Sequence, residues 1–168
     1  MNAAPRFLCD EMLSQLCHYL RAAGYDTLLA QNGASDGELL QLCQAEGRHF
    51  LTQDKLICEH KAAHNVALIL PHANLNHLAT LLTEHYQLDW LSQSFTRCLM
   101  DNTPLVAADD AALARAPADT LNSGERLYHC PACSRVYWRG SHYKRIRTKL
   151  AAWQAAGKNP SAQSSMET

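Results

Sequence analysis

Apolar residues in the first part of the chain fall into two kinds of run. Short, mainly apolar runs at residues 6–9, 27–29, 49–52 and 66–70 have the length and composition of buried parallel strands. Between them, apolar residues recur every three or four positions, which indicates amphipathic helices. Alternation of strand and helix predicts an α/β fold with a parallel sheet and helices on both of its faces.

Capping residues mark where these helices begin and end. Gly24 and Gly47 stand just past two apolar-periodic runs, where a left-handed residue commonly ends a helix. Ser35 and Glu38 have the spacing of a capping box at the start of the second helix. Asn74 is placed to cap a later helix, and residues 54–63 also have a helical pattern.

The pattern changes near residue 95, which predicts a second module. Two turn-like clusters, at Cys98 and at Cys130-Pro131-Ala132-Cys133, flank an acidic, alanine-rich stretch, and a short basic helix follows over residues 141–153. We therefore predict an α/β body over residues 1–93 and a small β module with a basic C-terminal helix over 94–154. The polar, serine-rich residues 155–168 are predicted to be a disordered tail.

Composition indicates the cellular compartment of the protein. No apolar run approaches the roughly 20 residues that a membrane-spanning helix needs, and the N-terminus has no long apolar segment of a secretory signal. Seven cysteines, an odd number, are scattered through apolar patterns, as free thiols are in a reducing compartment. We expect a cytoplasmic protein that does not enter a membrane; its oligomeric state is left open.

Acidic residues stand where the predicted strands end. Asp10 directly follows the first strand, Asp54 follows the third through Gln53, and Asp36 and Glu38 open the helix after the second. The carboxyl ends of parallel strands line one crevice, and clustered carboxylates suit Mg²⁺ or Mn²⁺. This arrangement points to metal-assisted hydrolysis of phosphodiester bonds, with these four residues as candidate catalytic groups and the three aspartates among them as candidate metal ligands.

Each of these acids also has an ordinary structural explanation. Aspartate after a strand often caps a turn, which would account for Asp10 and Asp54. Asp36 would complement the dipole of the helix that it begins. Glu38 would complete the capping box.

The cysteines of the second module have the spacing of a zinc ribbon. Such a site takes two ligands from each of two tight turns, with two residues between ligands. Cys130 and Cys133 fit one turn, whereas the other has Cys98 and then Asp101 where a cysteine is expected. Asp101, His129 or His142 would complete a structural zinc site. The alternative is a ribbon without metal, or cysteines packed as small apolar residues.

Charge is distributed unevenly along the chain. Residues 1–97 carry ten Asp/Glu against six Lys/Arg, whereas residues 126–150 carry seven Lys/Arg and no acid. A basic segment beside an acidic body suits a protein that holds a polyanion, although such a segment is also compatible with a plain solvated helix. The candidate nucleic-acid contacts are the basic and aromatic residues of this segment, namely Arg139, Lys144, Arg145, Tyr137, Trp138 and His142. Tyr137 and Trp138 would either stack on bases or form the core of the ribbon.

Taken together, these motifs resemble the PIN-like RNase domain of the Mut-seven C-terminal family, in its stand-alone prokaryotic form with a C-terminal zinc ribbon. The likeness covers roughly residues 6–150. It rests on segments whose order and spacing match: FLCDEML at 7–13, YLRAAGYDT at 19–27, DGELL at 36–40, GRHFLTQD at 47–54, Arg97-Cys98, Asn102, CPAC at 130–133 and VYWRGSH at 136–142.

The resemblance implies a PIN-like nuclease domain followed by a zinc ribbon, with RNA as the substrate class; we expect the RNA partner to be single-stranded. Two positions depart from the family pattern: Gln53 replaces an arginine and Asp101 replaces a ribbon cysteine. We expect a divalent-metal-dependent ribonuclease whose ribbon and basic flank grip RNA. The alternative is a catalytically inactive PIN-like module that binds RNA or protein.

Overall fold

A four-stranded parallel sheet forms the centre of the fold in the computed structural model, which describes residues 3–158. Its strands are β1 (Arg6–Cys9), β2 (Thr27–Leu29), β3 (Arg48–Thr52) and β4 (Ala67–Ile69). They lie in the order β2-β1-β3-β4, and each neighbouring pair is parallel. The predicted parallel α/β sheet is confirmed; β3 begins one residue before the predicted start, and β4 is shorter than the predicted 66–70.

Helices cover both faces of this sheet, as predicted. They are α1 (Ser14–Ala22), preceded by a 3₁₀ turn at Glu11–Leu13, α2 (Asp36–Glu46) and α3 (Leu75–Tyr86). Successive strand side chains point to opposite faces, so Phe7 joins the core under α1 and α3 while Leu8 joins the core under α2. Both side chains are fully or almost fully buried.

The predicted helix caps are present. Ser35 and Glu38 form a complete capping box, and Gly47 ends α2 in the left-handed conformation with φ of 64°. The Asn74 side chain accepts a hydrogen bond from His77 N–H at the start of α3. The helical pattern over residues 54–63 corresponds to two short 3₁₀ helices, Lys55–Glu59 and Lys61–Ala63, and not to one α-helix, because the backbone of His60 between them is extended.

The second half of the chain adds a small antiparallel sheet and a long helix. The sheet contains β5 (Val106–Ala107), β6 (Tyr128–His129) and β7 (Val136–Tyr137), in that order. Two short helices, α4 (Asp110–Leu113) and α5 (Ala118–Leu121), connect β5 to β6. The final helix, α6 (Ser141–Lys158), continues past the predicted boundary at residue 154. The rest of the predicted tail, residues 159–168, lies outside the described residues.

Helix α6 packs against the first body of the chain. Its residues Ile146, Leu150 and Trp153 belong to the same buried cluster as the residues of α1 and α3. The ring of Trp153 meets that of the fully buried Trp90 at a centroid distance of 4.9 Å. The basic helix and the first body therefore share one hydrophobic core, and the division at residue 93 stays a prediction. Of the helices within residues 3–158, none has both the length and the apolar character needed to cross a bilayer.

Gly24 allows the chain after α3 to lie close to the end of α1. Its φ is 94°, and a Cβ atom placed there would lie 2.1 Å from the backbone oxygen of Gln93. Just beyond, Phe95 N–H donates to the Ala22 carbonyl. Only glycine meets both the conformational and the steric requirement at this position.

Candidate active-site edge and metal centre

The carboxyl ends of β1 and β3 form the edge where the acidic residues were predicted to meet. The chain passes from β1 to β2 on one side and places β3 on the other side of β1. This reversal of strand order is the place where open α/β sheets bind ligands. Asp10 follows β1 directly, and Asp54 lies two residues past the end of β3.

Thr52 connects these two aspartates. Its buried hydroxyl donates to Asp10 Oδ2 at 2.8 Å and accepts from Asp54 N–H at 3.1 Å. Asp10 Oδ1 also accepts from Glu11 N–H at 2.7 Å, and Asp54 Oδ1 accepts from Leu56 N–H at 2.8 Å. Both aspartates therefore cap the 3₁₀ helices that follow them, as the structural alternative predicted, while their side chains stay at the strand edge.

The two acids of α2 have different surroundings. The carboxylate of Glu38 accepts from the backbone N–H and from the hydroxyl of Ser35, both at 2.8 Å, and these bonds lower its pKa. Asp36, in the first turn of α2, has its Oδ2 atom 3.8 Å from His60 Nε2. Glu38 is therefore held in the capping box, and Asp36 faces a histidine.

The acidic edge does not assemble three close ligands. Within residues 3–158, the group of three or more potential ligands whose atoms all lie within 4.8 Å of one another is formed by Cys98, Asp101, Cys130 and Cys133. Mg²⁺ commonly binds through only one or two carboxylates and keeps several waters. An ionised carboxylate has about four lone-pair sites, so Asp10 and Asp54 retain acceptor capacity beyond their present hydrogen bonds. The donor chemistry of the edge fits a hard divalent cation.

The cysteine cluster is built from two turns of the same shape. In the first, Cys98 N–H donates to Thr103 O and Asn102 N–H donates to Cys98 O. In the second, Cys130 N–H donates to Arg135 O and Ser134 N–H donates to Cys130 O. The fifth residue of each turn has a positive φ, 73° at Asn102 and 63° at Ser134. This repetition brings the two pairs of potential ligands face to face.

Three sulfurs and one carboxylate occupy the four ligand positions. Cys98 Sγ lies 3.6 Å from Cys133 Sγ, and Cys130 Sγ lies 3.3 Å from Asp101 Oδ2. Desolvation raises the pKa of Asp101, but hydrogen bonds from Thr103 and from the thiols outweigh it and hold the pKa well below its usual range. This set could hold a zinc ion, which takes tetrahedral thiolate and carboxylate ligands. The predicted alternatives His129 and His142 do not belong to the group.

The two aromatic residues of the predicted nucleic-acid site have different environments. Tyr137 is half-buried; its hydroxyl lies 3.1 Å from Cys98 Sγ and accepts from Leu99 N–H at 3.1 Å. Trp138 is 37% exposed. Tyr137 therefore supports the cysteine cluster, while Trp138 is available on the surface.

Trp138 lines a large groove between the small sheet, residues 94–100 and the start of α6. The groove has a volume of about 1020 Å³, and Tyr128 and Met100 are further exposed residues of its lining. Its charged lining contains one acid, Glu125, and four arginines: Arg115, Arg126, Arg135 and Arg139. Of the other predicted contacts, Tyr137 and His142 also line the groove, whereas Lys144 and Arg145 do not. An electropositive groove with exposed aromatic rings is able to accept an anionic strand with unstacked bases.

A partly buried polar network, which sequence reasoning missed, joins the first cysteine turn to the parallel sheet. Asn102 accepts from Thr27 N–H at 2.9 Å and donates to Asp26 Oδ1 at 2.7 Å. Arg48 and Arg6 donate to the same Asp26 carboxylate at 2.7 and 2.9 Å. Desolvation raises the pKa of Asp26, but these bonds outweigh it and hold the pKa well below its usual range.

The guanidinium of Arg21 makes a second link between the two regions. It donates to Thr27 O in β2 and, from Nη1, to the carbonyls of Leu99 and Met100 in the first cysteine turn. Arg21 is almost fully buried. The cysteine centre is therefore attached through hydrogen bonds to the sheet that carries the acidic edge.

Comparison with known proteins identifies the family. The family model described as the Mut7-C RNAse domain matches residues 5–150, a span that contains both the acidic edge and the cysteine cluster. No curated protein and no solved structure matches the chain. Because the match covers most of the 168 residues, the chain belongs to the Mut7-C RNAse domain family.

Proposed function

We propose that this protein is a metal-dependent ribonuclease that hydrolyses phosphodiester bonds in single-stranded RNA. The observation that carries the proposal is the pair Asp10 and Asp54, joined through Thr52 at the switch point of the sheet. The family to which the chain belongs supports a nuclease-type hydrolase with RNA as the general substrate.

The acidic edge would hold Mg²⁺ or Mn²⁺. Asp10 and Asp54 would be its nearest ligands, with Asp36 reaching it from α2 directly or through water. When bound, such an ion would supply Lewis-acid chemistry, by which the scissile phosphate would be polarised and the pKa of a bound water lowered. Thr52 holds Asp10 in place, and Glu38 fixes the start of α2 and so the position of Asp36.

The second part of the proposal concerns zinc. Cys98, Cys130 and Cys133 would bind Zn²⁺ with Asp101 as the fourth ligand, in a structural role. The ion would fix both cysteine turns and with them the walls of the groove. All seven cysteines are unpaired, which suits a reducing compartment, and we place the protein in the cytoplasm.

RNA would bind first in the groove. Its arginines and His142 would contact phosphates, and Trp138 would stack on a base, an interaction worth about 1–3 kcal/mol per base. Bases must be unstacked to meet such a side chain, which favours single-stranded over double-helical RNA. Lys144 and Arg145, outside the groove lining, would extend the basic surface along α6.

One observation favours a second candidate, a catalytically inactive module that binds RNA or protein. Asp10, Asp36 and Asp54 do not form a close group of three ligands within residues 3–158. A protein that only binds RNA would need the groove but not the ion at the acidic edge.

A cleavage assay on single-stranded RNA with added Mn²⁺ separates the two candidates. The ribonuclease should cleave, and Asp10→Asn should reduce the rate by at least about 10³-fold, about 4 kcal/mol in the barrier. The matched control Asp119→Asn changes an exposed aspartate on α5 in the same way and should cleave like the wild type. RNA binding without Mn²⁺-dependent cleavage, or equal cleavage by Asp10→Asn, would support the inactive module.

A further inference from the structure

Two cavities of the molecule are lined by the same pair of helices, α1 and α6. The large groove contains His18 of α1 and His142 of α6. A smaller pocket of about 430 Å³ contains Gln15 of α1 and Lys149 of α6. The pocket therefore lies closer than the groove to the start of α1 and to the middle of α6.

The smaller pocket lies beside the acidic edge. Its lining includes Met12 and Leu13, which follow Asp10, and Gln53, which precedes Asp54. Met12 is 69% exposed although it is apolar. The line of contact between α1 and α6, here called the α1–α6 seam, thus connects the groove of the small sheet to the edge that carries Asp10 and Asp54.

Basic side chains follow this seam on α6. His142, Arg145 and Lys149 are spaced by three and four residues, so they lie on one side of the helix. His142 and Lys149 are about 10 Å apart along the axis, at 1.5 Å per residue. The His142 ring lies 6.2 Å from that of His18, and Arg145 Nη2 lies 3.5 Å from His142 Nδ1.

The amino group of Lys149 lies at the pocket end of the seam. Lys149 is half-buried, and its Nζ lies 5.7 Å from the ring centres of both Tyr19 and Trp153. These rings restrict where the ammonium group can go. Neither α1 nor α6 contains an aspartate or glutamate, so no carboxylate on either helix competes for the ammonium.

We propose that single-stranded RNA runs from the groove along the α1–α6 seam to the acidic edge, and that Lys149 is a positioning residue for a phosphate next to the scissile bond. This inference rests on the proposed function and deepens it. It assigns the path of the bound strand and adds Lys149, with Met12 as an apolar contact for a base at the edge. Lys149 acts on the substrate backbone and takes no part in proton transfer.

The test compares Lys149→Gln with the matched control Arg147→Gln in an Asp10→Asn background, which prevents cleavage during binding. Arg147 is an exposed basic residue of the same helix that lines neither cavity. Fluorescence anisotropy measures the affinity for oligouridylate long enough to cover groove and seam, at several salt concentrations. Lys149→Gln should weaken binding about fivefold and reduce the salt slope by about 0.7, the value for one phosphate contact to a single strand.

Three further measurements test whether Lys149 acts through its charge on an RNA phosphate. Lys149→Arg should restore the salt slope, which a purely structural role of the stem would not predict. An oligouridylate short enough to fill only the groove should bind equally to Lys149→Gln and to the parent. Polyglutamate should compete weakly; competition as strong as that of RNA would show a site for acidic protein and overturn the assignment.

Failure of this inference is distinguishable from failure of the proposed function. If Lys149→Gln in the otherwise natural chain cleaves the long oligonucleotide as fast as Arg147→Gln does, the proposed RNA path along the α1–α6 seam is wrong, whereas the proposed ribonuclease activity is supported. If binding depends on Lys149 but neither the wild type nor any variant cleaves RNA, the RNA path along the α1–α6 seam is supported and the proposed ribonuclease activity is wrong. Equal salt slopes for Lys149→Gln and Arg147→Gln overturn the seam.

Discussion

The cysteine cluster and the acidic edge are both candidate metal sites, but the protein assembles them to different extents. In the cluster, two turns with the same hydrogen bonds bring four ligand positions to within 4.8 Å of one another. At the edge, Asp10 and Asp54 cap the helices that follow them, and Thr52 alone bridges the pair. A site fixed by backbone turns is suited to a permanent structural ion, whereas a looser pair of carboxylates suits an ion that arrives with the substrate.

The largest expected effect comes from breaking the cysteine cluster. Cys133→Ser should abolish zinc binding and unfold residues 95–140 locally, because structural zinc in small ribbon-like sites contributes on the order of 10 kcal/mol. Elemental analysis should show about one zinc per chain in the wild type and far less in the variant. Cys58→Ser, at an exposed cysteine outside the cluster, is the control and should keep its zinc. A wild type that is ordered with well under one zinc per chain would contradict the structural role.

The next largest effect is expected from removing the Asp26 carboxylate, which joins the first cysteine turn to the parallel sheet. Asp26→Asn removes the charge that Arg6 and Arg48 share, and the buried Arg48 then keeps its ion pair with Glu46 but loses the one with Asp26. This loss should cost about 2 kcal/mol. Thermal and urea unfolding measure this loss. The exposed Asp119→Asn variant should change the free energy of unfolding by less than about 0.5 kcal/mol.

The same variant has a defined pH dependence. The folded pKa of Asp26 is depressed, so its contribution to stability is fully present above the unfolded value of about 3.9 and is lost as pH falls through the folded value. Below about pH 4 the wild type should therefore lose stability more steeply than Asp26→Asn. Comparing the two proteins at each pH cancels the zinc contribution. Parallel curves would show that Asp26 is not ion-paired in solution.

A smaller effect, on zinc affinity, is expected from changing the one carboxylate ligand of the cysteine cluster. Asp101→Cys replaces a carboxylate by a more strongly binding thiolate and should tighten zinc binding at least about tenfold, about 1.4 kcal/mol. Competition with a chromophoric chelator measures the affinity. Asp109→Cys, which places a thiol on an exposed aspartate outside the cluster, should leave it unchanged. Equal affinities for Asp101→Cys and the wild type would mean that Asp101 caps its turn through Thr103 N–H without binding metal.

The smallest effect concerns the support of the acidic edge. Thr52→Val keeps the shape of a buried side chain but removes the hydroxyl between Asp10 and Asp54, at a cost of about 1 kcal/mol in stability. Mn²⁺ affinity, followed by electron paramagnetic resonance, should fall as well because Asp10 loses its orientation. Thr80→Val, which removes the hydroxyl that a half-buried threonine of α3 donates to the Asn76 carbonyl, is the control. Unchanged Mn²⁺ affinity in Thr52→Val would show that the Thr52 hydroxyl does not orient Asp10 for metal binding.

The predictable features of this chain were those encoded within a few neighbouring residues. The strands at Arg6–Cys9 and Thr27–Leu29, the Ser35–Glu38 capping box and the turn at Cys130–Cys133 each depend on local spacing, and the structure contains all of them. Asp101 was also placed correctly in the cysteine group, because its position in the turn is set by Cys98.

The missed features depend on contacts between distant parts of the chain. Thr52 reads in sequence as an ordinary strand residue, and its role appears only when β3 lies beside β1. Asp26 and Asn102, 76 positions apart, meet only because the first cysteine turn packs on β2. Helix α6 extends to Lys158 because Trp153, near the predicted helix end, packs against Trp90 and Tyr19 in the shared core.

Anomalous X-ray diffraction from crystals grown with Mn²⁺ and a non-cleavable RNA oligonucleotide would test both proposed metal sites and the RNA groove in one structure. Data collected on both sides of the zinc and manganese absorption edges identify each metal by position. We expect zinc bound by Cys98, Cys130, Cys133 and Asp101, and manganese at the edge formed by Asp10 and Asp54. Zinc at the cysteines with no manganese at the acidic edge, although RNA is bound in the groove, would contradict the ribonuclease and leave a binding module.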